Sequence, residues 1–300
     1  MSLTELPVVD ELFPGFRLLD VATTGARIRV RTGGKGPPLL LLHGYPQTHI
    51  MWRRVAPALA QRFTLVCPDL RGYGDSEKPP SAADHAPYSK RAMAQDMAEV
   101  MSALGHGRFF VGSHDRGARV AHRLALDHGD RVLKLATLDI APTREMYRDT
   151  TDAFARAYWH WFFLIQSAPM PERMIEADPE FYWTSRRASD MKLFEPAALS
   201  EYLRCFRDPA MIHASCEDYR AAVTIDITHD DADGGRKVAC PLLALWGDRG
   251  AVGKCFDVLA LWRERAENVQ GRALPGGHYL AEEIPDLVVA EFSAFFGENI

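Results

Sequence analysis

The chain has 300 residues, 47% of them apolar, enough to bury a large core as one domain or as a core with an insertion. A formal net charge of -5, with no block of like charges, argues against nucleic acid or an anionic membrane surface as partner. No apolar run approaches the ~20 residues of a membrane span, and Met1 to Phe16 lacks the basic and apolar regions of a secretory signal, so neither is expected. Five scattered cysteines (Cys67, Cys205, Cys216, Cys240, Cys255) fit reduced thiols in a cytoplasm better than a disulfide framework. No CxxC or HxxxH pairing suggests a metal site.

Residues 17 to 31 alternate as two short strands, and Thr32 to Pro38, rich in Gly and Pro, predicts a turn. Leu39 to Leu42 is the continuous apolar run of a strand covered on both faces, ending at His43-Gly44-Tyr45-Pro46. A helical stretch follows from about Trp52 to Leu59. Phe63 to Cys67 is the next buried strand, and it ends in a Gly-rich loop, Pro68 to Ser76. Ser89 to Leu104 predicts an amphipathic helix with Met93, Met97, Val100, Met101 and Leu104 on its inner stripe.

Phe109-Phe110-Val111-Gly112-Ser113-His114 enters as a strand, and a helical pattern leaves from Gly117 onward, with Asp115 at the junction. Asp115 has small residues two before and two after, Ser113 and Gly117. That is the strand–turn–helix signature of a nucleophile elbow, with Asp in place of Ser. So sharp a turn leaves no room for bulky neighbours. Val132 to Leu138 is a further strand, ending at Asp139.

The pattern then changes. From Pro142 to about Arg236 strand alternation gives way to helix-like stretches rich in aromatics and Arg, punctuated by Pro169, Pro171, Pro179, Pro196 and Pro209. This predicts an inserted helical lid. Alternation resumes at Leu242 to Trp246, followed by a helix to about Arg265, a weak strand near Gln270 to Leu274 and a last helix from Leu287. The expected architecture is α/β: a mostly parallel, helix-covered sheet formed by 1–141 and 237–300, with a cap formed by 142–236.

In such sheets ligands bind beyond the carboxyl ends of the strands. His43, Asp115, Asp139 and His278 are all expected there. The order Asp, Asp, His is the nucleophile–acid–base order of this architecture, with Asp139 orienting the imidazole of His278. Asp248, after a later strand, competes with Asp139 for that role.

His43-Gly44-Tyr45-Pro46-Gln47-Thr48-His49, His114-Asp115-Arg116-Gly117-Ala118-Arg119, Tyr158-Trp159-His160-Trp161, Cys216-Glu217-Asp218-Tyr219-Arg220 and Gly277-His278 together resemble the fluoroacetate dehalogenases of the α/β-hydrolase superfamily. The resemblance covers nearly the whole chain, helical insertion included. It implies the α/β-hydrolase fold, Asp115 as nucleophile, His278 as base and Asp139, rather than Asp248, as its partner. It further implies that Arg116 and Arg119 bind the substrate carboxylate, and that His160, Trp161 and Tyr219 hold the departing halide. Members are often homodimers. One departure is Ser113, where the family's usual residue is glycine.

The physical reading is compatible. Asp115 at a helix N-terminus beside two arginines stays ionised, and two guanidinium groups three residues apart can both reach one small carboxylate. Imidazole, indole and phenol supply three donors without negative charge, as a developing fluoride requires. The backbone N–H groups of Tyr45 and Arg116 are the expected oxyanion hole. No cofactor is called for, and the expected partner is a small 2-haloacid. The alternative is an epoxide hydrolase, which shares the Asp nucleophile and has use for lid tyrosines such as Tyr158, Tyr182, Tyr202 and Tyr219, but no use for the arginine pair. A haloalkane dehalogenase is disfavoured for the same reason, and a non-catalytic acid receptor would need no nucleophile–acid–base set.

Overall fold

The computed structural model describes residues 2–7, 12–185 and 191–297. Met1 and 8–11 of the N-terminal stretch, 186–190 of the expected cap and 298–300 of the core's end lie outside the described residues. The strands are β1 (Leu3–Leu6), β2 (Arg17–Ala22), β3 (Arg27–Gly34), β4 (Pro38–Leu42), β5 (Thr64–Pro68), β6 (Phe109–His114), β7 (Val132–Leu138), β8 (Leu242–Gly247) and β9 (Val269–Leu274). They form one sheet in the order β1-β2-β3-β5-β4-β6-β7-β8-β9. The β1–β2, β2–β3 and β3–β5 pairs are antiparallel, and the rest of the sheet is parallel.

The uninterrupted apolar strands lie where both faces are covered. All of β6 is buried, and so is Leu39–Leu42 of β4. Helices Lys90–Ala103 and Asp115–Asp127 pack against each other, and Met93, Met97, Val100 and Met101 of the first are buried in the core, with Leu104 partly buried. Ser89 Oγ caps it by accepting from the Ala92 N–H at 3.2 Å. The helix Pro285–Gly297 contributes Phe292 and Phe296 to an aromatic cluster with Phe63 and Phe110. Gly112 in β6 makes room for it: a Cβ there would come within 2.7 Å of the Phe292 ring.

Between β7 and β8 the described residues form helices and no strand. Pro179, Pro196 and Pro209 each occupy the first position of a helix, and Pro171 the second position of Met170–Ala177. The prolines thus start helices, where a missing N–H costs nothing. This segment is tied to the sheet domain by a buried carboxylate. Glu282 accepts from Tyr202 Oη at 2.7 Å and Gln47 Nε2 at 3.2 Å, and pairs with Arg53 at 2.7 Å. No helix among the described residues is long and apolar enough to cross a membrane.

Four sequence expectations differ from the structure. Thr32 to Gly34 belong to β3 rather than to a turn, pairing with Val66, Leu65 and Thr64. Gly33 suits that strand because its bare Cα accommodates the Phe16 ring, 2.8 Å from where a Cβ would stand. The helix expected over Trp52 to Leu59 is a 3₁₀ turn, His49–Trp52, and a short helix, Ala56–Leu59. The helix expected before Arg265 is two, Ala251–Cys255 and Val258–Arg265, the second capped by Asp257 Oδ1. β1 was not expected, since its four residues, LTEL, carry too short a pattern.

Candidate active site

β6 delivers Asp115 to the carboxyl end of the sheet, and the helix begins on that same residue. Its φ is 47°, a left-handed conformation costing a non-glycine residue roughly 1 kcal/mol or more. The neighbours explain how the turn is tolerated. A Cβ on Gly117 would lie 2.3 Å from the His43 carbonyl oxygen, and one on Gly44 would lie 2.5 Å from Asp115 Cβ. Ser113, where glycine is usual in the family it resembles, turns its hydroxyl sideways and donates to the Ala136 carbonyl of β7 at 2.8 Å.

Asp115 is 3% exposed. Burial alone would raise its carboxyl, but His278 and the Arg116 and Arg119 guanidinium groups outweigh burial and hold it below the ordinary range. Oδ1 accepts the Tyr45 N–H at 3.0 Å, so one half of the expected oxyanion hole already grips this oxygen. The Arg116 N–H is in the first helical turn, where backbone donors have no intrahelical acceptor.

His278 follows β9, with Nδ1 2.6 Å from Asp139 Oδ2. Asp139 is fully buried at the end of β7, also with positive φ (49°), and its other oxygen accepts the Gly247 N–H at 3.0 Å. Asp248 is elsewhere: its half-exposed side chain stands 3.9 Å from the Arg249 guanidinium. The structure thus brings Asp139, not Asp248, to the imidazole. Tyr158 Oη also approaches His278 Nδ1, at 3.4 Å. His43, the other histidine at a strand end, is buried and accepts the Leu70 N–H at 2.9 Å through Nε2, so its role is structural.

Arg116 and Arg119 are both buried, but they are held differently. Arg116 gives Nε and Nη2 to the carboxylate of Asp218 at 3.0 and 2.7 Å. Its fork is thereby occupied, and only Nη1 is left without a hydrogen-bond partner among the described residues. Asp218 also pairs with Lys90 and accepts Tyr73 Oη at 2.6 Å. Arg119 donates Nη1 to Thr143 Oγ1 at 2.7 Å, and its Nε has no hydrogen-bond partner among the described residues. Burial and the Arg116 charge pull the Arg119 guanidinium down to about 10, as befits a cation short of counter-charge.

The guanidinium groups also lie on the expected halide residues. Arg116 sits over the Tyr219 ring at 4.1 Å and Arg119 over the Trp161 ring at 4.5 Å. His160 packs beside Tyr45 and Tyr219, at ring separations of 6.2 and 6.0 Å. Trp161 Nε1 is buried with no hydrogen-bond partner among the described residues. A cavity of about 530 Å³ includes Asp115, His278, Tyr45, Tyr158 and His160 in its wall. The arrangement offers a depressed-pKa carboxylate, an Asp-oriented imidazole and several buried N–H donors without a partner among the described residues.

Sequence reasoning missed Asp218, Lys90 and Tyr73, which fix Arg116, and His114, whose Nε2 lies 2.8 Å from the His278 carbonyl. Asp218 had a signal, since it precedes Tyr219 in a motif already singled out. Lys90 and Tyr73 had none, because their partner is distant in sequence.

Residues 37–283 match the family model of the α/β hydrolase fold. The chain is 50% identical to a fluoroacetate dehalogenase from a Burkholderia species over 284 residues, covering 92% of each protein. It is 36% identical to a soluble epoxide hydrolase of Corynebacterium sp. strain C12, over 91% of this chain and 94% of the other. A solved Nostoc sp. PCC 7120 structure, assigned as an α/β hydrolase, is 57% identical with a TM-score of 0.92, over 94% of this chain and 98% of that one.

Proposed function

We propose, for a chain that belongs to the fluoroacetate dehalogenase family of α/β-hydrolases, that it hydrolyses small 2-haloacids to 2-hydroxy acids and halide. The observation that carries this reading is the set of buried donors without a partner among the described residues, Arg116 Nη1, Arg119 Nε and Trp161 Nε1, two of them on the guanidinium groups that help keep Asp115 ionised. Buried donors without acceptors are costly, by roughly 1–3 kcal/mol each, unless a ligand meets them. Two belong to cations, which suits a carboxylate; the third is a neutral indole, which suits a halide.

Because Oδ1 of Asp115 is held by the Tyr45 N–H, Oδ2 is the attacking atom. It displaces halide from the α-carbon in an SN2 step and leaves an ester on Asp115. His278, oriented by Asp139, then takes a proton from water, and the hydroxide adds to the ester carbonyl. The negative charge develops on Oδ1, where the Tyr45 N–H already donates and the Arg116 N–H is the second donor. Collapse frees the hydroxy acid and restores the carboxylate. Arg116 and Arg119 hold the substrate carboxylate, and His160, Trp161 and Tyr219 hold the halide.

The same proposal takes 142–236 as a cap over a core of 1–141 and 237–300, and a cytoplasmic homodimer as the working form. Five cysteines without disulfides support the compartment; the dimer rests on family resemblance. A second reading, epoxide hydrolysis, is favoured by Tyr158 Oη beside the base and by the 36% identical relative. A neutral epoxide, however, leaves the Arg119 charge unanswered. Halide release measured by ion-selective electrode with fluoroacetate and chloroacetate tests the choice. Wild type is expected to release halide, and Asp115→Asn to lose at least about 10⁴-fold. Turnover of small epoxides without halide release would instead select the second reading.

A further inference from the structure

His278 stands in Pro275-Gly276-Gly277-His278-Tyr279, a loop whose consecutive glycines leave the backbone wide conformational freedom. The imidazole nevertheless meets Asp139 at 2.6 Å, so something other than backbone preference must fix it. The carboxylate of Glu283 does so from the following helix. Its Oε2 accepts the Gly277 N–H at 2.7 Å and its Oε1 accepts the Tyr279 N–H at 2.9 Å, one on each side of His278.

The opposite ends of the same two peptide groups are also held. The Gly276 carbonyl accepts the Arg249 N–H at 3.0 Å, and the His278 carbonyl lies 2.8 Å from His114 Nε2. Burial lowers His114 to about 3, so at neutral pH it is an uncharged imidazole that donates this hydrogen bond through Nε2–H. The Gly276–Gly277 and His278–Tyr279 peptide groups, one before and one after His278, are thus each held at both ends. Gly277 is part of the device, since a Cβ there would lie 2.9 Å from Glu283 Oε1. The Glu283 side chain is only 9% exposed, with Arg249 Nη2 at 3.5 Å.

We infer that Glu283 is a positioning residue for the second half-reaction: its carboxylate clamps the loop so that His278 is aligned on Asp139 and on the ester-cleaving water. This rests on the dehalogenase reading for its kinetics, but the alignment itself is independent of substrate. Asp115 attacks without help from His278, so loosening the clamp should leave alkylation intact and slow deacylation.

The test uses Glu283→Ala and Glu283→Gln in the full-length protein, with folding checked by thermal melting. Rapid-quench halide measurement with chloroacetate is expected to show a burst of one halide per site at the wild-type rate. Steady-state turnover should then fall about 10–100-fold in Glu283→Ala and less in Glu283→Gln, which keeps one acceptor oxygen. Burst and turnover falling together, or neither falling, would overturn the inference. A second readout needs no turnover. The proton shared by His278 Nδ1 and Asp139 should give a far-downfield NMR resonance in wild type and be lost or broadened in Glu283→Ala. An unchanged resonance would overturn the clamp even if no haloacid were a substrate. Absence of halide release by wild type with that resonance lost would sink the dehalogenase reading and leave the clamp standing.

Discussion

The two ends of the site are built on opposite principles. At the hydrolytic end, Asp115, Asp139 and His278 sit on strand ends, and their polar contacts are met within the protein: Tyr45 N–H on Asp115, Gly247 N–H and the imidazole on Asp139. At the anion end, Arg116, Arg119 and Trp161 are as deeply buried but keep N–H donors with no partner among the described residues. The first end is a finished machine part, held at some backbone strain (φ of 47° and 49°). The second keeps its donors open, as the proposed anion-binding role requires. Preorganisation belongs where charge moves during reaction, and unmet donors belong where the ligand supplies the acceptor.

That contrast can be broken from either side. Short of removing the nucleophile or the base, the largest effect is expected from Asp139→Asn, which removes the charge that orients and stabilises the His278 imidazolium. Steady-state turnover should fall about 10²–10⁴-fold with the halide burst preserved, as rapid-quench kinetics would show; a lost burst would mean that His278 acts in the first step. At the anion end, Trp161→Phe deletes one neutral donor and keeps the packing with Phe154 and Tyr219. Fluoride release should drop roughly 10²-fold and chloride release less, because fluoride depends more on hydrogen bonding as it leaves. Equal losses for both halides would place the halide elsewhere.

The smallest effect is in pH. The Asp115 carboxyl is depressed in the folded protein by His278 and the arginines against the opposing effect of burial, so it stays ionised as pH falls through the ordinary carboxylate value of about 3.9. The same depression means that its ionised form favours the folded state above that value, a contribution lost only as pH falls through the lower folded value. The burst rate should therefore hold as pH falls to about 4, measured by pH-jump quench, where an ordinary Asp carboxyl would be about half protonated. A loss centred at the ordinary value or above it would show that Asp115 is not depressed.

Much of the hydrolytic end was legible because it depends on short-range rules. An elbow needs small residues two away from its nucleophile, and Ser113 and Gly117 satisfy that within five residues of sequence. Asp139 and His278 follow strands whose apolar runs mark them, and topology brings those strand ends together. The anion end was legible only as residue types. That Arg116 spends its fork on Asp218, leaving one N–H for a ligand, depends on packing between a helix of the sheet domain and helix Pro209–Val223, about a hundred positions later. The choice between Asp139 and Asp248 was likewise a matter of tertiary distance, since both follow strands. β3 ran through Thr32 to Gly34 for a similar reason: β5 and the Phe16 ring impose a strand where local composition favours a turn.

The most direct measurement is the mass of the Asp115 peptide from His278→Asn after incubation with chloroacetate. That peptide should gain one carboxymethyl group, with one chloride released per site and no further turnover. Chloride release that continues with Asp115 unmodified would contradict it, because water rather than the carboxylate would then be the nucleophile.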